Sequence, residues 1–235
     1  MRSIIIASTS TIHGSEPLEY LLDELKIHFK SASKILFIPY ARPGGISHED
    51  YTKNITKAFN KIEKSVIGLH EFNNPKEAIK NAQAIFTGGG NTFVLVNQLY
   101  KNDVLTAIKD AVNSGTPYLG TSAGSNICGL TMSTTNDMPI VYPPSFQTLG
   151  LVPFNINPHY LDPNPDSTHM GETRETRIKE FHAFNTQPVV GLREGSWIDV
   201  KGKQLTLKGN LDARVFEYGK TPYEIKPNSD LSSLN

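Results

Sequence analysis

The chain has one cysteine and one tryptophan, and neither charge sign is in excess. No apolar run approaches membrane-spanning length. Each shortage excludes something. A lone thiol, Cys128, forms no internal disulfide, which suits a reducing compartment. Lys+Arg 23 balances Asp+Glu 23 for a formal net charge of +0. Nucleic-acid binding normally draws on a clustered basic excess, so no such partner is expected. A membrane span needs about 20 consecutive apolar residues, and the run Ile4-Ile5-Ile6-Ala7 is too short even for a secretory signal. The expected location is cytoplasmic, with no membrane partner. The seven histidines include no i, i+4 pair and Cys128 has no second thiol, so neither a metal nor another cofactor is expected.

What is present is a globular composition, 235 residues with 38% hydrophobic, enough for one α/β domain. Residues 1–226 read as that single domain and 227–235 as a flexible tail. Through the first half, short apolar runs alternate with amphipathic stretches, predicting a mostly parallel sheet flanked by helices. Strands are expected at Ser3–Ala7, Ile35–Pro39, Val66–Leu69, Ala84–Thr87 and Tyr118–Gly120; such near-continuous runs are typical of strands buried on both faces. Leu18, Leu21, Leu22, Leu25 and Phe29 mark one helix and Ile55, Ala58, Phe59 and Ile62 another, with Ser47 and Asp50 as a start signal. Asn91 can cap a helix over Thr92–Leu99, and a further one over Val104–Val112 stops at Gly115.

From Thr131 to Thr168 the chain is rich in Pro, Asn, Thr and Asp with no sustained period, a length of irregular chain more often functional than passive. A helix over Gly171–Ala183 and short, partly antiparallel closing strands at Pro188–Leu192, Trp197–Val200, Gln204–Leu207 and Arg214–Phe216 complete the reading.

Two loops carry chemical signals. Gly120-Thr121-Ser122-Ala123-Gly124 directly follows a strand and has the G-x-S-x-G form of a nucleophile elbow, a tight turn that lifts a serine hydroxyl to the end of a sheet. Gly88-Gly89-Gly90-Asn91-Thr92 follows another strand. Its glycines let backbone N–H groups approach a ligand, but no Gly-Lys-Ser/Thr follows and Phe93 breaks the dinucleotide pattern. It reads as a wall of the site and an oxyanion donor.

A serine nucleophile needs a base, and the base an orienting acceptor. His159, in Ile156-Asn157-Pro158-His159, is the best-placed base, with His169 the main competitor; Glu194 and Asp137 compete as the acceptor. Cys128 reads as a buried structural thiol.

These motifs, with Thr134-Thr135-Asn136-Asp137-Met138-Pro139-Ile140-Val141, Asn157-Pro158-His159, Gly171-Glu172-Thr173-Arg174-Glu175 and Gly191-Leu192 with Glu194-Gly195, occur in one order from Ile4 to Phe216. In this the chain resembles the peptidase E family of α-aspartyl dipeptidases, serine peptidases on a class I glutamine amidotransferase-like fold. The resemblance implies Ser122 as nucleophile, His159 as base, Glu194 as its orienting acid, and the N–H groups of Gly90 and Ala123 as the oxyanion hole. It places Asn91, Asp137 and Arg174 at positions for substrate binding, with Arg174 offering a bidentate fork to an aspartyl carboxylate. Thr121 and Arg193 depart from the family pattern, which has Trp and Pro there.

The implied activity is hydrolysis of small peptides after an N-terminal aspartate by a monomer or homodimer. Other readings of the scaffold are a cyanophycinase-like isopeptidase acting on β-linked Asp-Arg and a non-catalytic binding protein.

Overall fold

A computed structural model describes residues 1–166, 168 and 170–234. Its first half is the expected alternation of strand and helix. The strands are β1 (Ser3–Ala7), β2 (Lys34–Ile38), β3 (Ser65–Gly68), β4 (Ile85–Thr87) and β5 (Tyr118–Thr121). Between them run α1 (Leu22–His28), α2 (His48–Asn60), α3 (Pro75–Lys80), α4 (Thr92–Lys101) and α5 (Leu105–Ser114), and the four-residue α6 (Ala123–Asn126) follows β5. The second half holds β6 (Asn155–Asn157), α7 (Arg174–Phe181), β7 (Val189–Gly191), β8 (Trp197–Lys201), β9 (Gln204–Lys208), β10 (Ala213–Phe216) and β11 (Tyr223–Ile225).

The main sheet has the order β3-β2-β4-β5-β1-β8-β9. Its first five strands run parallel, β8 is antiparallel to β1, and β9 is antiparallel to β8. The parallel strands are apolar because helices cover both faces. Ile5, Phe37 and Phe86 face α1 and α2, whose Leu25, Ile55 and Phe59 complete one core. Ile4, Leu36 and Ile85 face α3, α4 and α5 through Ile79, Leu95, Leu99, Ile108 and Val112. Ser47 caps α2 by accepting the Asp50 N–H, as its spacing predicts.

A second sheet, ordered β11-β10-β7-β6, has β6 and β7 parallel and the other pairs antiparallel. Its Ile156, Val190 and Val215 join the same core as Ile4 and Ile198 of the main sheet, so the closing strands pack against the parallel layer. The segment expected to be a flexible tail behaves differently through residue 234. Leu231 and Leu234 are buried, and Leu231 N–H donates to Leu205 O at 2.8 Å while Leu207 N–H donates to Ser229 O at 3.1 Å. The tail covers the otherwise open edge of β9. Among the described residues, no helix is long and apolar enough to cross a membrane.

Candidate active site

Three neighbouring strands, β4, β5 and β1, end side by side, and their C-terminal ends form one rim of the site. In open parallel sheets this is where ligand-binding groups gather. The glycine loop follows β4, Ser122 follows β5 and Ser8 follows β1.

Ser122 occupies φ 54°, ψ −113°, a left-handed conformation that disfavours any side chain by about 1–3 kcal/mol. Its surroundings impose it. The Ser122 N–H donates to Ala7 O at 3.2 Å, and its carbonyl accepts the N–H of Ser125 at 3.0 Å and of Asn126 at 2.9 Å. The flanking glycines are demanded by contact: a Cβ on Gly120 would stand 2.3 Å from Gly124 O, and one on Gly124 2.1 Å from Thr87 O. The β4 loop abuts the turn, since a Cβ on Gly89 would lie 2.8 Å from Ser122 Cβ. The N–H groups of Gly90 and Ala123 have no hydrogen-bond acceptor among the described residues.

The second sheet delivers the other two groups. Because β6 and β7 are parallel with Asn157 opposite Gly191, His159 and Glu194 leave adjacent strands in the same direction. His159 Nε2 lies 2.8 Å from Ser122 Oγ, and His159 Nδ1 lies 2.6 Å from Glu194 Oε1. A carboxylate only accepts, so Nδ1 carries the proton and Nε2 accepts from the serine hydroxyl. His159 also has a positive φ, 52°. It is held by Ser8, whose Oγ accepts the His159 N–H at 2.9 Å and donates to Leu192 O at 2.8 Å. Asn136 Nδ2 donates to Pro158 O at 2.7 Å, and Asn157 Nδ2 donates to Asn136 Oδ1 at 2.8 Å. Neither Ser8 nor Asn136 stands out in the sequence, because their partners are distant in the chain. His169 lies outside the described residues.

Arg193 fixes the loop bearing Glu194. Its guanidinium donates to Asp162 at 2.6 and 2.7 Å, to Glu224 at 2.9 and 3.0 Å, and to Asp212 O at 2.5 Å. Carboxylates on both sides hold its pKa above the ordinary arginine value. One side chain thus ties the chain after His159 to the chain before Glu194.

The other candidates separate into two kinds. Both amide ends of Asn91 are engaged: Oδ1 accepts the Val94 N–H as the α4 cap, and Nδ2 donates to Met138 O at 2.9 Å. Asp137 Oδ2 accepts Thr92 N–H at 2.7 Å, Thr92 Oγ1–H at 2.6 Å and Thr135 Oγ1–H at 3.0 Å. Asp137 is therefore anchored to the start of α4 rather than to His159. Arg174, at the start of α7, has no hydrogen-bond or ion-pair partner among the described residues and lines a groove of about 380 Å³ with Asp162, Asn164, Thr173 and Arg177. Burial and then the neighbouring Arg177 lower its pKa, while Asp137 opposes them. A second, small cavity joins Arg174 to Asn136 and Asn157 beside the His159 segment.

Cys128 is fully buried, and burial raises its thiol pKa; its Sγ rests on Gly124 O at 3.4 Å. Among the described residues, no group of three or more His, Cys, Asp or Glu side chains is placed to hold a metal ion.

Comparison with known proteins gives a consistent result. Residues 4–208 match the family described as peptidase family S51. A "Peptidase E" of Streptomyces coelicolor is 47% identical over 232 residues, covering 99% of this chain and 94% of that protein. A "Probable alpha-aspartyl dipeptidase" of Drosophila melanogaster is 44% identical over 236 residues, covering 99% and 97%. The crystal structure of a peptidase from an acI-B1 Actinobacterium superposes with a TM-score of 0.71 at 15% identity, over 98% of this chain and 96% of that one.

Proposed function

The chain belongs to peptidase family S51, and from that premise we propose that it is a serine dipeptidase that cleaves after an N-terminal aspartate. The observation that carries this reading is the continuous chain from Ser122 Oγ through His159 to Glu194, with contacts of 2.8 and 2.6 Å. His159 Nε2 takes the hydroxyl proton as Ser122 Oγ attacks the peptide carbonyl. The tetrahedral oxyanion is met by the N–H groups of Gly90 and Ala123, a role supported by their having no acceptor among the described residues. His159 then passes the proton to the leaving amine, and water hydrolyses the ester formed on Ser122. Glu194 keeps Nδ1 protonated and favours the imidazolium that forms between these steps.

Specificity resides in Arg174. A half-buried guanidinium with no acid partner among the described residues suits a carboxylate, and its planar fork binds one through two parallel hydrogen bonds. The aspartyl side chain supplies that carboxylate. Asn91 and Asp137 act indirectly by holding the loop between α4 and the His159 segment. The reducing environment suited to a lone thiol fits a cytoplasmic enzyme.

Aspartyl p-nitroanilide, run beside the glutamyl, asparaginyl and leucyl compounds, tests this directly. Hydrolysis selective for the aspartyl compound, with the preference over asparaginyl shrinking at least about tenfold in Arg174→Ala, is expected. Equal turnover of all four would contradict it. No turnover of any would favour the isopeptidase or binding readings.

A further inference from the structure

Beside Glu194 lies a hollow of about 310 Å³ lined by Ile12, Tyr20, Glu194, Gly195, Trp197 and Leu211 among others. Its location follows from the sheet order. Ser122 ends β5, and β8, which starts at Trp197, is two strands away across β1. At about 4.8 Å per strand the hollow is roughly 10 Å from the nucleophile along the same rim.

The walls are pre-formed. The Tyr20 and Trp197 rings stand 6.2 Å apart and tilted by 59°. Tyr20 Oη donates to Thr9 O at 2.6 Å, which turns its hydroxyl into the protein and leaves the ring as the surface on offer. Trp197 is fixed in the ladder opposite Ala7 and Lys208. The floor is tight, since a Cβ on Gly209 would meet Gly195 O at 2.4 Å. Glu194 supplies the single formal charge in this lining. A hollow with aromatic and aliphatic walls, whose lining also holds Asn210 and one carboxylate, suits an apolar side chain and disfavours an acidic one.

We infer that this hollow receives the side chain of the residue released after aspartate, making apolar and aromatic second residues the preferred ones. The inference rests on the function proposed above. His159 donates its proton to the leaving amine, so the departing residue starts at His159 Nε2, and the hollow beside Glu194 on the same rim is the space offered to its side chain. Arg174 would then serve the aspartyl side chain and the Tyr20–Trp197 hollow that of the released residue.

The test is kcat/KM for Asp-Gly, Asp-Ala, Asp-Leu, Asp-Phe and Asp-Glu, with the wild-type chain and with Leu211→Asp. Leu211 is 45% exposed, so the substitution puts a charge on the wall without opening the core. The wild type is expected to favour Asp-Leu and Asp-Phe over Asp-Gly by at least about tenfold and to place Asp-Glu last. In Leu211→Asp the Leu-to-Gly ratio should fall toward unity. Equal efficiencies across the series, or an unchanged ratio in Leu211→Asp, would overturn the inference while leaving aspartyl hydrolysis intact. Failure to cleave any aspartyl dipeptide would overturn both.

Discussion

His159 Nδ1 and Glu194 Oε1 lie 2.6 Å apart although 35 residues separate them in sequence. The parallel pairing of β6 with β7 creates this relationship, because each residue leaves its strand just beyond the paired positions Asn157 and Gly191. Glu194 thus follows His159 in sequence and reaches it through a small second sheet, while Ser122 comes from the main one.

Replacing Glu194 with Gln keeps the shape of the side chain and removes its charge. The amide can donate to Nδ1 and so permits the tautomer that places the proton on Nε2, where it cannot receive the serine proton. We expect kcat to fall about 10²–10⁴-fold with KM changed far less, read from steady-state kinetics. Unchanged kcat would remove Glu194 from the orienting role.

Asp137 serves another purpose. Its Oδ2 is the acceptor for Thr92 N–H and for the Thr92 and Thr135 hydroxyls. Asp137→Ala leaves the first N–H of α4 without that partner, and a loss of about 1–3 kcal/mol is expected, measured by urea unfolding. Asp137→Asn keeps an acceptor oxygen and should lose less. Equal stability of all three chains would contradict the anchoring role.

His28 gives the fold a pH dependence remote from the site. It is buried, with Nε2 3.1 Å from Tyr118 O and Nδ1 3.3 Å from Ser3 Oγ, and burial pushes its pKa down from 6.5 to about 3. The unfolded chain therefore takes up a proton at His28 below about pH 6.5 while the folded chain does not until near pH 3. Stability from this group is complete above pH 6.5 and is lost as pH falls toward 3, at up to about 1.4 kcal/mol per pH unit. Denaturant midpoints at pH 7 and pH 5 should diverge more for the wild type than for His28→Gln. Identical pH slopes for the two would contradict this.

The parallel strands were legible because burial on both faces leaves apolar runs such as Ile4-Ile5-Ile6 with little else to be. The serine turn was legible too, since its glycines are dictated by contacts within a few residues. Local pattern failed where structure depends on remote partners. α3, Pro75–Lys80, is one and a half polar turns burying Ile79, too short to show a period, though the Asn74 cap and Pro75 were signals. β11 has exposed residues and, among the described residues, pairs only with β10. Leu231 looks like tail sequence because its burial depends on β9. The choice among histidines had the same difficulty: His159 N–H is bound by Ser8, 151 residues away. Asn91 shows the converse, a residue whose cap signal was visible and whose amide is engaged at both ends, by that cap and by Met138.

The central claim is that Ser122 attacks the peptide bond. Its most direct test is the turnover of aspartyl p-nitroanilide by Ser122→Ala, with the melting temperature measured on the same sample. We predict a fall in kcat of about 10⁴–10⁶-fold at unchanged or higher melting temperature, since the strained turn keeps its backbone contacts. A folded Ser122→Ala protein that retains near-wild-type turnover would contradict the account.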